Sequence, residues 1–473
     1  MPSNFANVRA DGCADFRRSW RTSRRRVLRA GCVSAMGLGL DGLLRGRAIG
    51  ATQKDVSGAG FGRAKACIFL FMWGGPSQLE TFDPKPDAPA EVRGSFQPIS
   101  TAVPGVFISE HFQRVAKLTD RLAIIRSLTH NDPAHLSSGH VTLTGHLAPV
   151  VKSDAEPPSD RDTPHLGSVV ARMRPGDPVV PPFVTLPWLA MHPAAPGGRS
   201  PGQNGGWLGS RYDPMLIAGD PNAANWRVDE LSLSDDVTVA RLDSRKSLLA
   251  EIDQQRRIAE RAADAGLDNF KQKAIGLLSA PAARQAFDLA AESDAMRDRY
   301  GRNIHGQSVL LARRLVEHGV SLVSVNWHND GRNFWDTHGN NFNRLKDDLI
   351  PPADQALSAL LEDLEQRGML DETIVAWVGE FGRKPQITTA GAGRDHWPRC
   401  YNGLLAGGGI RGGTVYGASD AHAAYPAASP CSPQDYVATI YHALGIDPAT
   451  KLVDRMGRPL AVCEGRALAD LFA

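Results

Sequence analysis

The apolar positions of this 473-residue chain fall into two periodic classes. Five short runs are apolar almost without interruption: Ala66–Trp73, Leu122–Leu128, Phe183–Leu186, Ser321–Val325 and Thr373–Val378, the first emptying into Gly74-Gly75-Pro76. A strand that is apolar at nearly every position has no solvent-facing side, so these runs predict strands of a parallel sheet covered on both faces. Residues 110–118, 137–144, 306–318, 351–367 and 434–444 instead space their apolar residues three and four apart, the period of a helix with one buried stripe. The alternation predicts an α/β fold built on a doubly wound, mostly parallel sheet. Residues 238–300 break the pattern: Leu242, Leu248, Leu249, Ile252 and Ile258 punctuate a background of Ala, Arg, Asp and Gln, which predicts an inserted helical hairpin or lid. Two long loops rich in Gly and Pro, 74–106 and 187–236, are expected to wall a site at the carboxyl ends of the strands, with Trp188, Trp207 and Trp226 packed beneath the second.

Composition narrows the class. With 42% hydrophobic and 22% charged residues the chain is globular, neither disordered nor fibrous. The net charge of +2 conceals an asymmetry, because residues 1–50 carry ten Arg and three acids for a net of +7, leaving −5 for the remainder. Nucleic-acid binding by bulk charge is therefore not expected. Arg24-Arg25-Arg26-Val27-Leu28-Arg29 precedes a weakly apolar run, Ala30–Leu40, that ends at Asp41. This is the outline of a twin-arginine export signal over residues 1–51, with cleavage near Ala48-Ile49-Gly50-Ala51. Residues 52–473 would then form the mature α/β domain in the periplasm. The apolar run falls well short of the ~20 residues of a membrane helix, so no transmembrane span is expected. Leu28–Cys32 imitates a lipoprotein box but precedes the apolar run. Cys67, Cys400, Cys431 and Cys463 remain after the leader and form no CxxC pair, which disfavours a cysteine-only zinc site.

Candidate chemistry gathers just after the predicted strands. Beyond Leu128 come His130, His135, Ser137, Ser138 and His140, hydroxyls and imidazoles at a helix start whose free N–H groups suit an anion. Beyond Val325 come His328 and Asp330, then Asp336 and His338, whose two-residue spacing in a loop lets both face one cation. Beyond Val378 come Glu380 and Arg383, then Arg394, Asp395 and His396. Three strand-end loops presenting oxygen and imidazole donors point to a divalent metal site. Gly407–Gly413 lacks both the Walker lysine and a dinucleotide fingerprint, and reads as a turn region.

Leu70-Phe71-Met72-Trp73-Gly74-Gly75-Pro76-Ser77-Gln78, Thr81-Phe82-Asp83-Pro84-Lys85, Gly379-Glu380-Phe381-Gly382-Arg383, Gly393-Arg394-Asp395-His396-Trp397-Pro398 and Leu405–Ile410 together resemble the bacterial domain-of-unknown-function family 1501 across nearly the whole chain. The resemblance implies an alkaline phosphatase/sulfatase-like α/β core with a one- or two-metal site beside a nucleophile. It would make Asp336, His338, Glu380 and His396 metal ligands, with Asp395 beside them, for zinc, calcium, manganese or magnesium. Leu143-Thr144-Gly145 matches the end of the sulfatase nucleophile helix, yet the nucleophile's own position holds His135 and the Cys/Ser-x-Pro-x-Arg motif is missing. Cys431-Ser432-Pro433-Gln434-Asp435 imitates that motif too late in the chain, and the usual first metal Asp has only Ser77, Gln78 or the distant Asp83 near its place.

The implied activity is an exported metal-dependent hydrolase of sulfate or phosphate esters, with a sulfated glycan or other anionic ester as substrate. Ser137 or Ser138 would serve as nucleophile, His135 or His140 as acid/base, and Arg383 or Arg394 would hold the anion. The departures from the sulfatase pattern motivate an alternative, a non-catalytic exported binding or assembly protein on the same fold.

Overall fold

The structure is a computed structural model that describes residues 58–176, 180–228, 285–327 and 334–473. All the described residues belong to one compact unit, Gly58–Ala473. The leader, residues 238–284 of the expected insertion and His328–Asp330 lie outside the described residues. Of the insertion, the described part carries helical residues 285–287, a 3-10 turn, Leu289–Ala291, and one short helix, Asp294–Tyr300.

Among the described residues eight strands form one sheet: β1 (Ala66–Phe71), β2 (Leu122–Leu128), β3 (Phe183–Leu186), β4 (Met215–Leu216), β5 (Leu322–Asn326), β6 (Thr373–Val378), β7 (Tyr401–Ala406) and β8 (Thr414–Tyr416). Their spatial order is β8-β2-β7-β6-β1-β5-β3-β4. Seven strands run parallel, while β7 runs antiparallel between β2 and β6. All five apolar runs are strands within a residue or two of their expected bounds.

The larger helices are α1 (His135–Thr144), α2 (Leu166–Met173), α3 (Asp294–Tyr300), α4 (Ile304–Glu317), α5 (Ile350–Gln366) and α6 (Pro433–Ala443). Successive side chains of a strand point to opposite faces. Thus Ile68 and Leu70 of β1 enter a core filled by α4 and α5 through Leu310, Leu315, Leu357, Leu360 and Leu361. Cys67, Phe69 and Phe71 enter a second core filled by α1, α2 and α6 through Leu136, Leu143, Val170, Val437 and Ile440. The sheet is therefore covered on both faces, as the uninterrupted apolar runs require.

Local chemistry sets the helix ends. The Asn303 side chain accepts from the backbone N–H groups of His305 and Gly306 and caps α4. Ser432 and Asp435 form a reciprocal capping box at α6 with Pro433 in its first turn, so the segment that imitates the sulfatase motif is a helix start. The helix expected over 110–118 is instead a 3-10 turn over Val115–Arg121. All four cysteines of the described residues are free and buried.

Candidate metal centre

Loops leaving the carboxyl ends of β1, β2, β5 and β6 converge at the position where open α/β sheets place their sites. The loop after β2 delivers His130 and then His135, the first residue of α1. The loop after β5 delivers Asp336 and His338. The loop after β6 delivers Glu380 and Arg383, and a two-residue antiparallel pairing sets His396 opposite Arg383. The loop after β1 contributes backbone: Gly74 N–H donates to Glu380 Oε1 at 2.9 Å, and the Gly74 and Gly75 carbonyls accept from the Arg383 guanidinium. Both glycines have positive φ, and a Cβ on Gly74 would strike the backbone nitrogen of Asp336 while one on Gly75 would meet the Phe381 ring. That close approach is the physical reason for a Gly-Gly pair at this strand end.

Asp336 is the hub. Its Oδ1 lies 2.5 Å from Arg383 Nη1, 3.1 Å from His338 Nε2 and 3.2 Å from His396 Nε2, and its Oδ2 lies 3.4 Å from His135 Nε2. The Nε2 atoms of His338 and His396 are 2.9 Å apart. Each imidazole is held from its other nitrogen: His135 Nδ1 by Glu380 Oε1 at 2.6 Å, His338 Nδ1 by Asp395 Oδ1 at 3.0 Å, and His396 Nδ1 by the Pro133 carbonyl at 2.7 Å. A carbonyl or ionised carboxylate only accepts, so each Nδ1 donates and each ring turns its Nε2 toward Asp336. His135, Asp336 and His396 together place one ligand atom each within 4.8 Å of the others. Buried Glu380 Oε2 has no hydrogen-bond partner, and buried His135 Nε2 lies 3.4 Å from Asp336 Oδ2. A buried imidazole nitrogen held only by so long a contact calls for an explanation, and an ion bound at His135 Nε2 is one.

The charges follow from this packing. Burial would raise the Asp336 carboxyl, but the Arg383 guanidinium and hydrogen bonds from three histidines drive it far below the ordinary carboxylate range. Burial would likewise lower His135, yet its bonds to Asp336 and Glu380 prevail and raise it to about 9. The bond to Asp336 also raises His338, whereas burial leaves His396 lowered. The cluster is graded in exposure: the side chains of His135 and Glu380 are 1% and 0% exposed, while those of His338 and Asp395 are each 47% exposed. Phe381, Phe334 and His192 pack around the His135 ring.

The expected site residues take different places around Asp336. Glu380 and Asp395 stand behind histidines, bonded to the Nδ1 atoms, instead of facing the centre themselves. His135, expected as acid/base, joins the facing donors. Ser138 Oγ donates to the Asp132 carbonyl, and Ser137 Oγ accepts from the N–H of Ser153. His140 accepts from Thr163 N–H, lies 3.2 Å from the His146 carbonyl and is lowered to about 4 by burial. Neither arginine forms an open anion clamp, because both side chains are fully buried. Arg383 is spent on Asp336 and the Gly74–Gly75 carbonyls, and Arg394 on Glu80 at 2.6 Å and the Val92 carbonyl. Sequence reasoning missed Glu80, His192 and the Pro133 carbonyl. Glu80 has a signal in retrospect, as an acid three residues after Ser77, whose hydroxyl it accepts at 2.5 Å. The Pro133 carbonyl has none, since every residue carries one.

Remote likenesses exist among solved structures. The PsFucS1 sulfatase from Pseudoalteromonas sp. is 13% identical with a TM-score of 0.35, over 87% of this chain and 72% of that one. The structure titled Ps i-CgsB is 11% identical with a TM-score of 0.39, over 86% and 76%. The C-terminal periplasmic domain of EcEptC from Escherichia coli, solved in complex with Zn, is 9% identical with a TM-score of 0.33, over 88% and 97%. No curated protein matches the chain. Residues 64–472, the whole sheet and every side chain of the cluster included, match the family model described as "Protein of unknown function (DUF1501)", and the chain belongs to that family.

Proposed function

We propose that this protein is an exported, metal-dependent hydrolase of sulfate or phosphate esters, with anionic polysaccharides among its substrates. The observation that carries the reading is the convergence of three imidazole Nε2 atoms on the Asp336 carboxylate, each ring pinned from behind by an acceptor. Once the rings are neutral, as metal ligation requires, their Nε2 lone pairs and the carboxylate would all face one cation, which would add to the positive charge Arg383 already sets against Asp336. A divalent cation there would supply charge opposite the transferred group and lower the pKa of an attacking hydroxyl or water. The chain's own residues hold the geometry. Arg383 fixes Asp336 to the Gly74–Gly75 turn, Glu380 fixes the His135 ring, and the half-exposed His338–Asp395 side leaves the approach open to solvent and substrate.

The test is hydrolysis of aryl phosphate, aryl sulfate and sulfated oligosaccharides by the full chain loaded with each common divalent metal. Turnover that Asp336→Asn abolishes is the expected result; no turnover with any metal and substrate sinks the reading. One observation favours the alternative of a binding or assembly protein: the Ser138 hydroxyl donates to the Asp132 carbonyl and the Ser137 oxygen accepts from Ser153 N–H, so neither of these bonds is to a side-chain base. On that alternative the protein binds an anionic glycan tightly and leaves it intact.

Export by the twin-arginine route to the periplasm belongs to the same proposal and rests on Arg24–Arg29 and the run behind it. Among the described residues no helix is long and apolar enough to cross a membrane. Fractionation of the native host checks it: a shortened protein in the periplasm is expected, and full-length protein confined to the cytoplasm refutes export.

A further inference from the structure

We infer that the cluster is a single-ion, imidazole-rich centre for zinc or a neighbouring first-row transition ion, ligated by His135, Asp336, His338 and His396, with Glu380 and Asp395 as orienting acceptors outside the ligand shell. This deepens the hydrolase reading and rests on it for the presence of a cation. It departs from that reading in fixing which ion, how many ions, and which carboxylates do not touch the ion.

Donor type decides the ion. Three nitrogen donors and one carboxylate suit zinc and its first-row neighbours, whereas calcium takes 6–8 oxygens and magnesium an octahedron of oxygen and water. Spacing agrees. Bonds of about 2.0 Å in a tetrahedral site put neighbouring ligand atoms about 3.3 Å apart. Four of the six spacings among these donors are 2.9 Å between His338 and His396, 3.1 and 3.2 Å from those rings to Asp336 Oδ1, and 3.4 Å from His135 to Asp336 Oδ2. His135, Asp336 and His396 form the compact group, all within 4.8 Å of one another, and His338 joins it from the exposed side.

The tautomers agree as well. Imidazole ligands of metals almost always donate their second N–H to a carboxylate or carbonyl, and all three rings here do so. Glu380 cannot be both that acceptor and a ligand through the same oxygen, since its Oε1 already receives His135 Nδ1 and the Gly74 N–H.

The loop after β1 offers a second ion no free ligand. In the loop after β1, Ser77 donates to Glu80, the Gln78 amide is bonded to the Arg383 and Ala423 backbones, and Asp83 is held by Lys85 and Ser419. Asp336 is the one carboxylate in the ligand set and Arg383 balances its charge, so the ion's own charge stays available to an anionic group.

The experiment offers the purified full chain equimolar zinc, manganese, cobalt, calcium and magnesium, then removes free ions and measures bound metal. In parallel, the cobalt-loaded protein is examined by visible absorption, which reports coordination number and nitrogen ligation without reference to activity. The expected result is one zinc-class ion per chain, not displaced by calcium or magnesium, and a cobalt spectrum of four- or five-coordinate intensity. His135→Gln, Asp336→Asn, His338→Gln and His396→Gln each lose that ion, whereas Glu380→Gln and Asp395→Asn keep it with affinity weakened about 10–100-fold. Circular dichroism separates loss of ligand from loss of fold, and the wild-type selectivity and spectrum stand whether or not a variant folds. Stoichiometric calcium or magnesium in place of zinc, two ions per chain, or loss of metal in Glu380→Gln as complete as in His135→Gln each overturns the inference. The two readings fail separately: ester hydrolysis supported by calcium alone would leave the hydrolase and remove this centre, while a bound zinc-class ion without hydrolysis would do the reverse.

Discussion

At Asp336 one carboxylate meets four cationic or cation-seeking partners, so the most local events at the centre are proton and metal exchange. His135, raised to about 9 by Asp336 and Glu380, is protonated near pH 7 when no ion is bound, and His338 is shifted the same way. A ligand imidazole must be neutral, so an incoming ion has to expel these protons. Metal affinity is therefore expected to rise with pH between 6 and 9 and to be accompanied by proton release. Titration calorimetry in two buffers of different ionisation enthalpy measures it; identical heats in both buffers refute it. Gly74 gives a second expectation at this scale. Its φ of +111° and the space taken by Asp336 leave no room for a side chain. Gly74→Ala should destabilise by about 1–3 kcal/mol, the range of strained backbone positions, and loosen Asp336 enough to lower metal occupancy. Urea unfolding and metal analysis of the variant check both parts, and wild-type occupancy would show that the turn does not position the carboxylate. The residue types of the centre were legible in the chain, because Asp336, His338, Glu380 and His396 all follow predicted strands. Their division into facing and backing groups was not, since it depends on which ring nitrogen meets which acceptor, and a backbone carbonyl such as that of Pro133 leaves no mark in a sequence.

Among elements, the parallel strands announced themselves because burial on two faces demands unbroken apolar runs, as in Ala66–Phe71. β7 did not: Asn402 and Gly403 interrupt its pattern, and its place between β2 and β6 comes from long-range pairing. The arginines mark a similar limit. Arg394 looks like an anion clamp in sequence, but folding ties it to Glu80, fastening the loop after β6 to the loop after β1. Removing one member of a buried ion pair leaves the other charge unpaired, which typically costs about 3–5 kcal/mol. Arg394→Ala should lose stability of that order. Arg455→Ala, whose partner Asp160 is largely exposed, should lose at most about 1 kcal/mol, as surface pairs do. Equal denaturation midpoints for the two variants would show that the Glu80 pair does not hold these loops together.

For the whole molecule, acid stability is set by histidines buried away from the centre. Burial lowers His130 and His140 to about 4 and His165 to about 3, so in the folded protein they stay neutral through mildly acid solution. In the unfolded chain the same rings take up protons below their ordinary value near 6.5. The unfolded state then binds more protons than the folded one, and unfolding free energy falls as pH drops from about 6.5 towards 4. At about 1.4 kcal/mol per unit, three such groups weaken the fold by several kcal/mol across that window. His135 and His338 act in the opposite sense in the ion-free protein: their raised values contribute stability that is full below 6.5 and lost as pH climbs towards 9. A bound cation removes that second contribution, because the ligand rings are then neutral at any pH where the ion stays bound. Ion-free protein should therefore lose stability on both sides of neutrality, and metal-loaded protein on the acid side alone. Urea unfolding at pH 5, 7 and 9 with and without the ion distinguishes the two profiles. If the loaded and ion-free proteins weaken equally from pH 7 to 9, the raised histidines are not where the ion binds.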